Sequence, residues 1–231
     1  MTIGANTLAV VTGASRGIGR AIGARLRESG VRVVGLARSL TTACTKDGGE
    51  IRCDVTSESD VQDAAAVLVK ACGVPDVLVN NAGAFLLQDF AATTAHEFRI
   101  QMETNALGPF LVLRAFAPQM AAQAGHVVTV GSVADYQIFP GNAAYGSSKH
   151  ALRALHEVLA AEYHGRLRTT LISPGPTDTE LWDPLDPDRR DDLPDRSKML
   201  RSDDVVDAVV FSITRPAHAN IDLIRLSPSG L

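Results

Sequence analysis

Cysteine is scarce: the 231-residue chain holds only Cys44, Cys53 and Cys72, an odd number with no C-x-x-C spacing. Neither a disulfide framework nor a thiolate metal site is indicated, and a reducing compartment is the expectation. The six histidines, His96, His126, His150, His156, His164 and His218, have no carboxylate or thiol partners at metal-ligand spacing; they read as surface or capping residues, and no metal is expected. A positive charge excess is also missing. Lys and Arg number 22 against 26 Asp and Glu, a net charge of −4, which argues against nucleic acid or an acidic membrane surface as partner. No apolar run reaches the ~18 residues of a membrane span, and Met1-Thr-Ile-Gly-Ala-Asn-Thr-Leu8 carries no basic segment ahead of the first strand. The expectation is a cytoplasmic chain with neither signal peptide nor membrane contact. Internal repeats, low-complexity tracts and separating linkers are absent too, which leaves one domain over 1–231.

What the chain does contain is apolar, 45% of its residues against 21% charged, enough for a substantial core. The apolar residues fall into short β-branched runs, at Leu8–Thr12, Arg32–Leu36, Glu50–Cys53, Val77–Asn80, His126–Val130, Arg168–Ser173 and Ile221–Arg225. Between them lie longer amphipathic stretches, at 17–29, 58–72, 95–122, 142–163 and 202–214. Continuously apolar strands suit a parallel sheet covered on both faces, and the βα alternation supplies the covering helices. The predicted fold is α/β: a Rossmann-like, doubly wound parallel sheet in a single domain. Residues 181–200 break the rhythm with three prolines and dense mixed charge, and read as a substrate flap or a solvated loop.

Two stretches carry chemistry. Strand Leu8–Thr12 runs into Gly13-Ala-Ser-Arg-Gly17-Ile-Gly19 and then a helix, so the glycines allow a tight turn and the helix start offers free N–H groups to a phosphate. The spacing is G-x-x-x-G-x-G, unlike the G-x-G-x-x-G dinucleotide fingerprint, and a packing turn is the other reading. Farther on, Tyr145 and Lys149 lie one helical turn apart, and Ser132 follows the strand at 126–130. A phenol ionises near pH ~10 and exchanges protons poorly at neutrality unless a cation stabilises the phenolate; Lys149 is placed to do so, with Ser132 orienting a substrate oxygen. By spacing alone the pair also reads as a solvated surface pair.

Taken in order, Thr12-Gly-Ala-Ser-Arg-Gly-Ile-Gly19, Asp54-Val55, Asn80-Asn-Ala-Gly83, Asn105, Ser132, Tyr145-x-x-x-Lys149 and Pro174-Gly175 with Thr177 and Thr179 resemble the classical short-chain dehydrogenases/reductases over almost the whole chain. The resemblance implies an NAD(P)-dependent oxidoreductase. Its tyrosine would be the acid/base, its lysine would lower the tyrosine pKa and bind the nicotinamide ribose, and its serine would position the substrate oxygen. Asn105 would keep a water in a proton relay behind the lysine. Cofactor contacts would come from Gly13, Ser15, Arg16, Gly17, Ile18 and Gly19, from Asp54 and Val55 at the adenine, and from Asn81, Ala82 and Gly83. Tyr145 and Lys149 would also touch the cofactor, with Pro174, Gly175, Thr177 and Thr179 at the nicotinamide.

Charge selects the cofactor. Ala37 stands after the second strand where an acid would hold a free ribose 2′-hydroxyl, and Arg38 follows; with Arg16 as a second cation this favours NADP(H) over NAD(H). Phe85, Leu86, 133–139, Leu181, Trp182 and Leu185 are the expected pocket lining, which suits an apolar carbonyl or alcohol substrate. The alternatives are a non-enzymatic dinucleotide sensor and an isomerase or dehydratase on the same fold. The apolar helices at 95–122 and 142–163, with the resemblance, imply a homodimer or homotetramer.

Overall fold

Residues 3–230 are described by a computed structural model of the chain; Met1, Thr2 and Leu231, the ends of the expected 1–231 domain, lie outside them. The first strand, β1 (Leu8–Thr12), is buried along its whole length, as an inner parallel strand must be. Alternate side chains serve two cores. Leu8 and Val10 join Leu78, Phe116, Met120 and Val127 on one face, while Ala9 and Val11 join Ile22, Leu26, Val79, Val205 and Val209 on the other.

The remaining strands are β2 (Arg32–Ala37), β3 (Ala43–Thr45), β4 (Gly48–Arg52), β5 (Val77–Asn80), β6 (His126–Val130), β7 (Arg168–Pro174) and β8 (Leu223–Leu226). They form one sheet in the order β3-β4-β2-β1-β5-β6-β7-β8, parallel throughout except that β3 runs antiparallel to β4. Helices α1 (Gly17–Glu28) and α6 (Ser202–Ile213) supply the apolar stripe for one face. Helices α2 (Glu58–Cys72) and α4 (Gly108–Ala121) supply most of the other, joined by Leu159 of α5 (Ala143–Glu162). The winding reverses between β1 and β5. In a doubly wound sheet that reversal opens a crevice at the carboxyl ends of the strands, where Thr12 and Asn80 stand.

Four local features differ from the expectation. The region before β4 forms a hairpin, because Gly48 and Gly49, with φ of 109° and 147°, let the chain fold back from the three-residue β3. The stretch 95–122 is not one regular helix: α3 (Ala95–Met102) passes through a π turn, Glu103–Leu107, before α4. Pro109 in the first turn of α4 has no N–H to give to the carbonyl four residues back, and the turn is instead closed by Gly108 N–H on Glu103 O. Two histidines expected at the surface are core residues, His126 bonded through Nε2 to Thr170 and His156 through Nδ1 to Thr129. Finally, Cys44 on β3 and Cys72 at the end of α2, 28 residues apart in sequence, bring their sulfurs to 3.2 Å.

The expected flap is locally ordered. It contains a two-turn 3-10 helix at Glu180–Leu185 and single 3-10 turns at Pro187–Arg189 and Arg196–Lys198. Arg196 organises it, with Nη1 at 2.6 Å from Asp178, Nη2 at 2.7 Å from Asp183 and its backbone N–H on Asp188 at 2.9 Å.

Burial pushes His126 down to about 3 and His156 down to about 4 from an ordinary 6.5. The unfolded chain therefore binds protons that the native chain refuses, and stability falls as pH drops below 6.5 toward these values. Urea unfolding between about pH 7 and pH 4 should lose a few kcal/mol. His156→Gln should make that slope shallower, and an unchanged slope would show that acid sensitivity lies elsewhere.

Candidate active site

The turn between β1 and α1 and the loop after β5 are fastened to each other at the crevice. Thr12 Oγ1 accepts the amides of both Asn81 and Ala82 at 2.9 Å, and Asn81 Nδ2 donates to Thr12 O at 2.9 Å. Such closeness leaves no room for a side chain at Gly13 or Gly19. A Cβ on Gly19 would lie 2.3 Å from Gly13 O, and Gly13 itself has φ of 66°. Arg16, the residue before α1, makes no side-chain cap, so the first N–H groups of the helix remain free for an anion.

A cleft of about 1190 Å³ runs from this turn across the carboxyl ends of the strands. Gly13, Ser15, Arg16, Gly17 and Ile18 line it, as do Arg38, Asp54, Val55, Asn81, Ala82 and Gly83. Ser132, Tyr145, Lys149, Pro174, Gly175, Thr177 and Thr179 complete the expected set. Two expected residues stand behind the wall instead. Gly19 supports the turn, and Asn105 is fully buried within the π turn. Asn105 pins three elements: its Nδ2 donates to Ala84 O and Ser148 Oγ, each at 2.9 Å, and its Oδ1 accepts Ala84 N–H at 2.8 Å. The Asp54 carboxylate accepts the Thr56 amide and hydroxyl at 3.0 and 2.9 Å. Arg16 and Arg38 are exposed and line the same cleft, and position 37 carries Ala rather than an acid.

The residues expected to handle the proton meet at the end of β6. Tyr145 and Ser132 line the same part of the cleft, where the Ser132 hydroxyl acts on the phenol. Lys149 donates to Val130 O at 3.3 Å, with Nζ 5.7 Å from the Tyr145 ring centre. Burial acts on both ionisable groups. It pushes Tyr145 up to about 12, against the Ser132 hydroxyl and with the Asp135 charge adding to it. Burial also pushes Lys149 down to about 8, opposed by Asp135. A phenol in that range stays protonated at neutral pH and is a proton donor.

Aromatic and aliphatic side chains enclose the neighbouring space. Phe85 meets Tyr145 edge-on at 4.7 Å between ring centres and Trp182 at 5.0 Å, with Val133, Phe139, Leu181 and Leu193 around them. Leu86 and Leu185, expected there, are not part of the lining, and Ile138 is 82% exposed to solvent because the chain turns outward before Pro140. Asn142 adds a polar group that the sequence reading does not single out, its buried Oδ1 lacking a hydrogen-bond partner. Asp135, expected only as one of the pocket-lining residues 133–139, is instead buried behind Ser132. Its signal in the sequence is the Ser-x-x-acid spacing of a capping box, here closing the single turn Val133–Asp135.

Residues 7–190 match the family model for short chain dehydrogenase. A farnesol dehydrogenase of Aedes aegypti is 31% identical over 249 aligned positions, covering 98% of this chain and 97% of that protein. Among solved structures, an alcohol dehydrogenase from the archaeon Thermococcus sibiricus, complexed with 5-hydroxy-NADP, superposes with a TM-score of 0.85 at 25% identity, covering 97% of each chain. The closed form of a serine dehydrogenase complexed with NADP+ superposes with a TM-score of 0.84 at 26% identity, over 95% of this chain and 94% of that one.

Thr12→Val removes the hydroxyl that accepts two amides while keeping the side-chain shape. It should cost about 1–3 kcal/mol and speed hydrogen exchange at the Asn81 and Ala82 amides. Unchanged exchange at both positions would mean that the loops are held together by something other than Thr12.

Proposed function

The chain belongs to the short-chain dehydrogenase family, and from that premise we propose that it uses NADP(H) to interconvert an apolar carbonyl compound and its alcohol, with Tyr145 as the acid/base. The observation that carries this reading is the grouping of Ser132, Tyr145 and Lys149 in the same cleft as the uncapped start of α1. When bound, the nicotinamide supplies the hydride.

The chain's residues do the rest. Free N–H groups at the start of α1 and the turn from Gly13 to Ile18 would hold the pyrophosphate. Arg16 and Arg38 would pair with a 2′-phosphate, which an acid at position 37 would repel. Asp54 and Val55 would flank the adenine. The Asn81 amide nitrogen is already committed to Thr12, so Asn81, Ala82 and Gly83 would act through remaining polar atoms and backbone. Pro174, Gly175, Thr177 and Thr179 would bound the nicotinamide, and Leu181 and Trp182 on the 181–200 flap would cover the substrate.

Ser132 would hold the substrate oxygen in line with Tyr145, whose protonated hydroxyl delivers the proton that a forming alkoxide needs. A phenol held up at about 12 suits reduction at neutral pH better than oxidation, which requires the proton to leave first. Lys149 would bind the ribose and complete the proton path. Asn105, its side chain engaged with Ala84 and Ser148, would serve by keeping the π turn against α5, its main chain facing the relay water. The exposed Leu107, Phe110 and Val158 support a homo-oligomer joined through α4 and α5.

Loss of NADPH absorbance with a panel of ketones, aldehydes and quinones tests the reading. Tyr145→Phe should lower kcat/KM by about 10²–10⁴, a far larger loss than any in NADPH affinity. Tight NADPH binding without turnover of any panel member would favour the sensor reading instead. Arg38→Asp should shift cofactor preference toward NADH by at least ~10-fold; an undiminished NADPH preference would remove Arg38 from the phosphate site.

A further inference from the structure

Asp135 is a carboxylate with no exposed side-chain surface, hydrogen-bonded to the main chain of Ser132, one of the residues assigned to proton transfer. Its Oδ2 accepts the Ser132 amide at 3.1 Å and the Ser173 hydroxyl at 2.6 Å. Its Oδ1 faces Arg153 Nη1 on α5 at 3.4 Å. Gly131 makes the approach possible, since a Cβ there would stand 2.3 Å from Oδ2. Burying a carboxylate costs several kcal/mol unless it is well paired, and its ion-pair partner is a guanidinium that is 26% exposed and shared with Glu157. A structural turn needs no such charge; a serine or asparagine would close it.

We propose that Asp135 is a positioning residue of this site: its carboxylate fixes the Ser132 main chain and sets one buried negative charge behind Ser132, Tyr145 and Lys149. The proposal rests on the roles given above to those three residues. The short turn holding Asp135 packs against β7 and α5. From β7 it meets the uncharged Ser173, and from α5 the ionisable groups are Tyr145, Lys149 and Arg153, with Glu157 behind Arg153. A negative charge at this point stabilises the Lys149 ammonium and opposes formation of the Tyr145 phenolate, and both effects keep protons in the site. Removing the charge therefore lowers both titrations.

The chain has four lysines, Lys46, Lys70, Lys149 and Lys198, so NMR of protein labelled with ¹³C at the lysine Cε can follow each ammonium without any substrate. The Lys149 signal is identified by its loss in Lys149→Met. In Asp135→Asn, which keeps the shape of the turn, the Lys149 midpoint should fall by about one pH unit. Arg153→Gln leaves Asp135 less compensated and should move the same midpoint upward, by roughly half a unit. This variant also carries the test if Asp135→Asn does not fold. A Lys149 midpoint that neither substitution moves would overturn the proposal and leave Asp135 as a turn residue.

The kinetic arm uses the best alcohol from the panel. The acid limb of its oxidation should move to lower pH in Asp135→Asn, by about the same amount as the lysine midpoint. Shifted Lys149 titrations without turnover of any compound would keep the placement of the charge and discard the reductase reading. Turnover with an unmoved Lys149 would do the reverse.

Discussion

A single hydroxyl, that of Thr12, accepts the amides of Asn81 and Ala82 and so ties together the loops that leave β1 and β5. A doubly wound sheet opens at its reversal point, and unless something joins the two loops there the crevice has no defined floor. Thr12 and the glycines that let the loops approach provide that floor. The direction of α1, the depth of the cleft and the place of Gly83 beside Lys149 and Asn105 all follow from it.

Burial then governs the chemistry. Excluding water around Tyr145 and Lys149 works against charge on both, so the neutral phenol and a weakened ammonium are the resting pair. One fixed carboxylate behind Ser132 offsets part of that for the lysine and adds to it for the tyrosine. The pair lies in a pocket where Phe85 and Trp182 keep the surroundings apolar.

Much of this is legible in the sequence, because parallel strands buried on both faces must be apolar throughout and the helices between them must be amphipathic. The glycine turn and the Ser132, Tyr145 and Lys149 set are readable as ordered motifs, and all but Gly19 and Asn105 among the expected catalytic and cofactor-binding residues line the cleft. What escapes is whatever depends on a partner distant in the chain or on a missing donor. A three-residue edge strand has too short a pattern to detect. The π turn arises where Pro109 interrupts the helical ladder, and periodicity alone passes over it. Cys44 and Cys72 have unrelated spacing yet meet across β3 and α2. His126 and His156 look like surface residues until their hydroxyl partners, Thr170 and Thr129, arrive from neighbouring strands. Asp135 is conspicuous only once Ser173 and Arg153 are seen around it.

The π turn at Glu103–Leu107 also acts as a phase shifter. One residue advances a regular helix by about 100°, so the extra residue held in the turn rotates everything downstream by that angle relative to α3. The face of α4 that carries Val112, Phe116 and Met120 into the core is therefore in register with the sheet only while the turn survives. Insertions and deletions on either side of it are not equivalent: a one-residue loss that relaxes the turn would swing the exposed Phe110 and the buried Phe116 round the axis together. The same turn that places Asn105 thus ties the accuracy of the site to the phasing of the helix behind it.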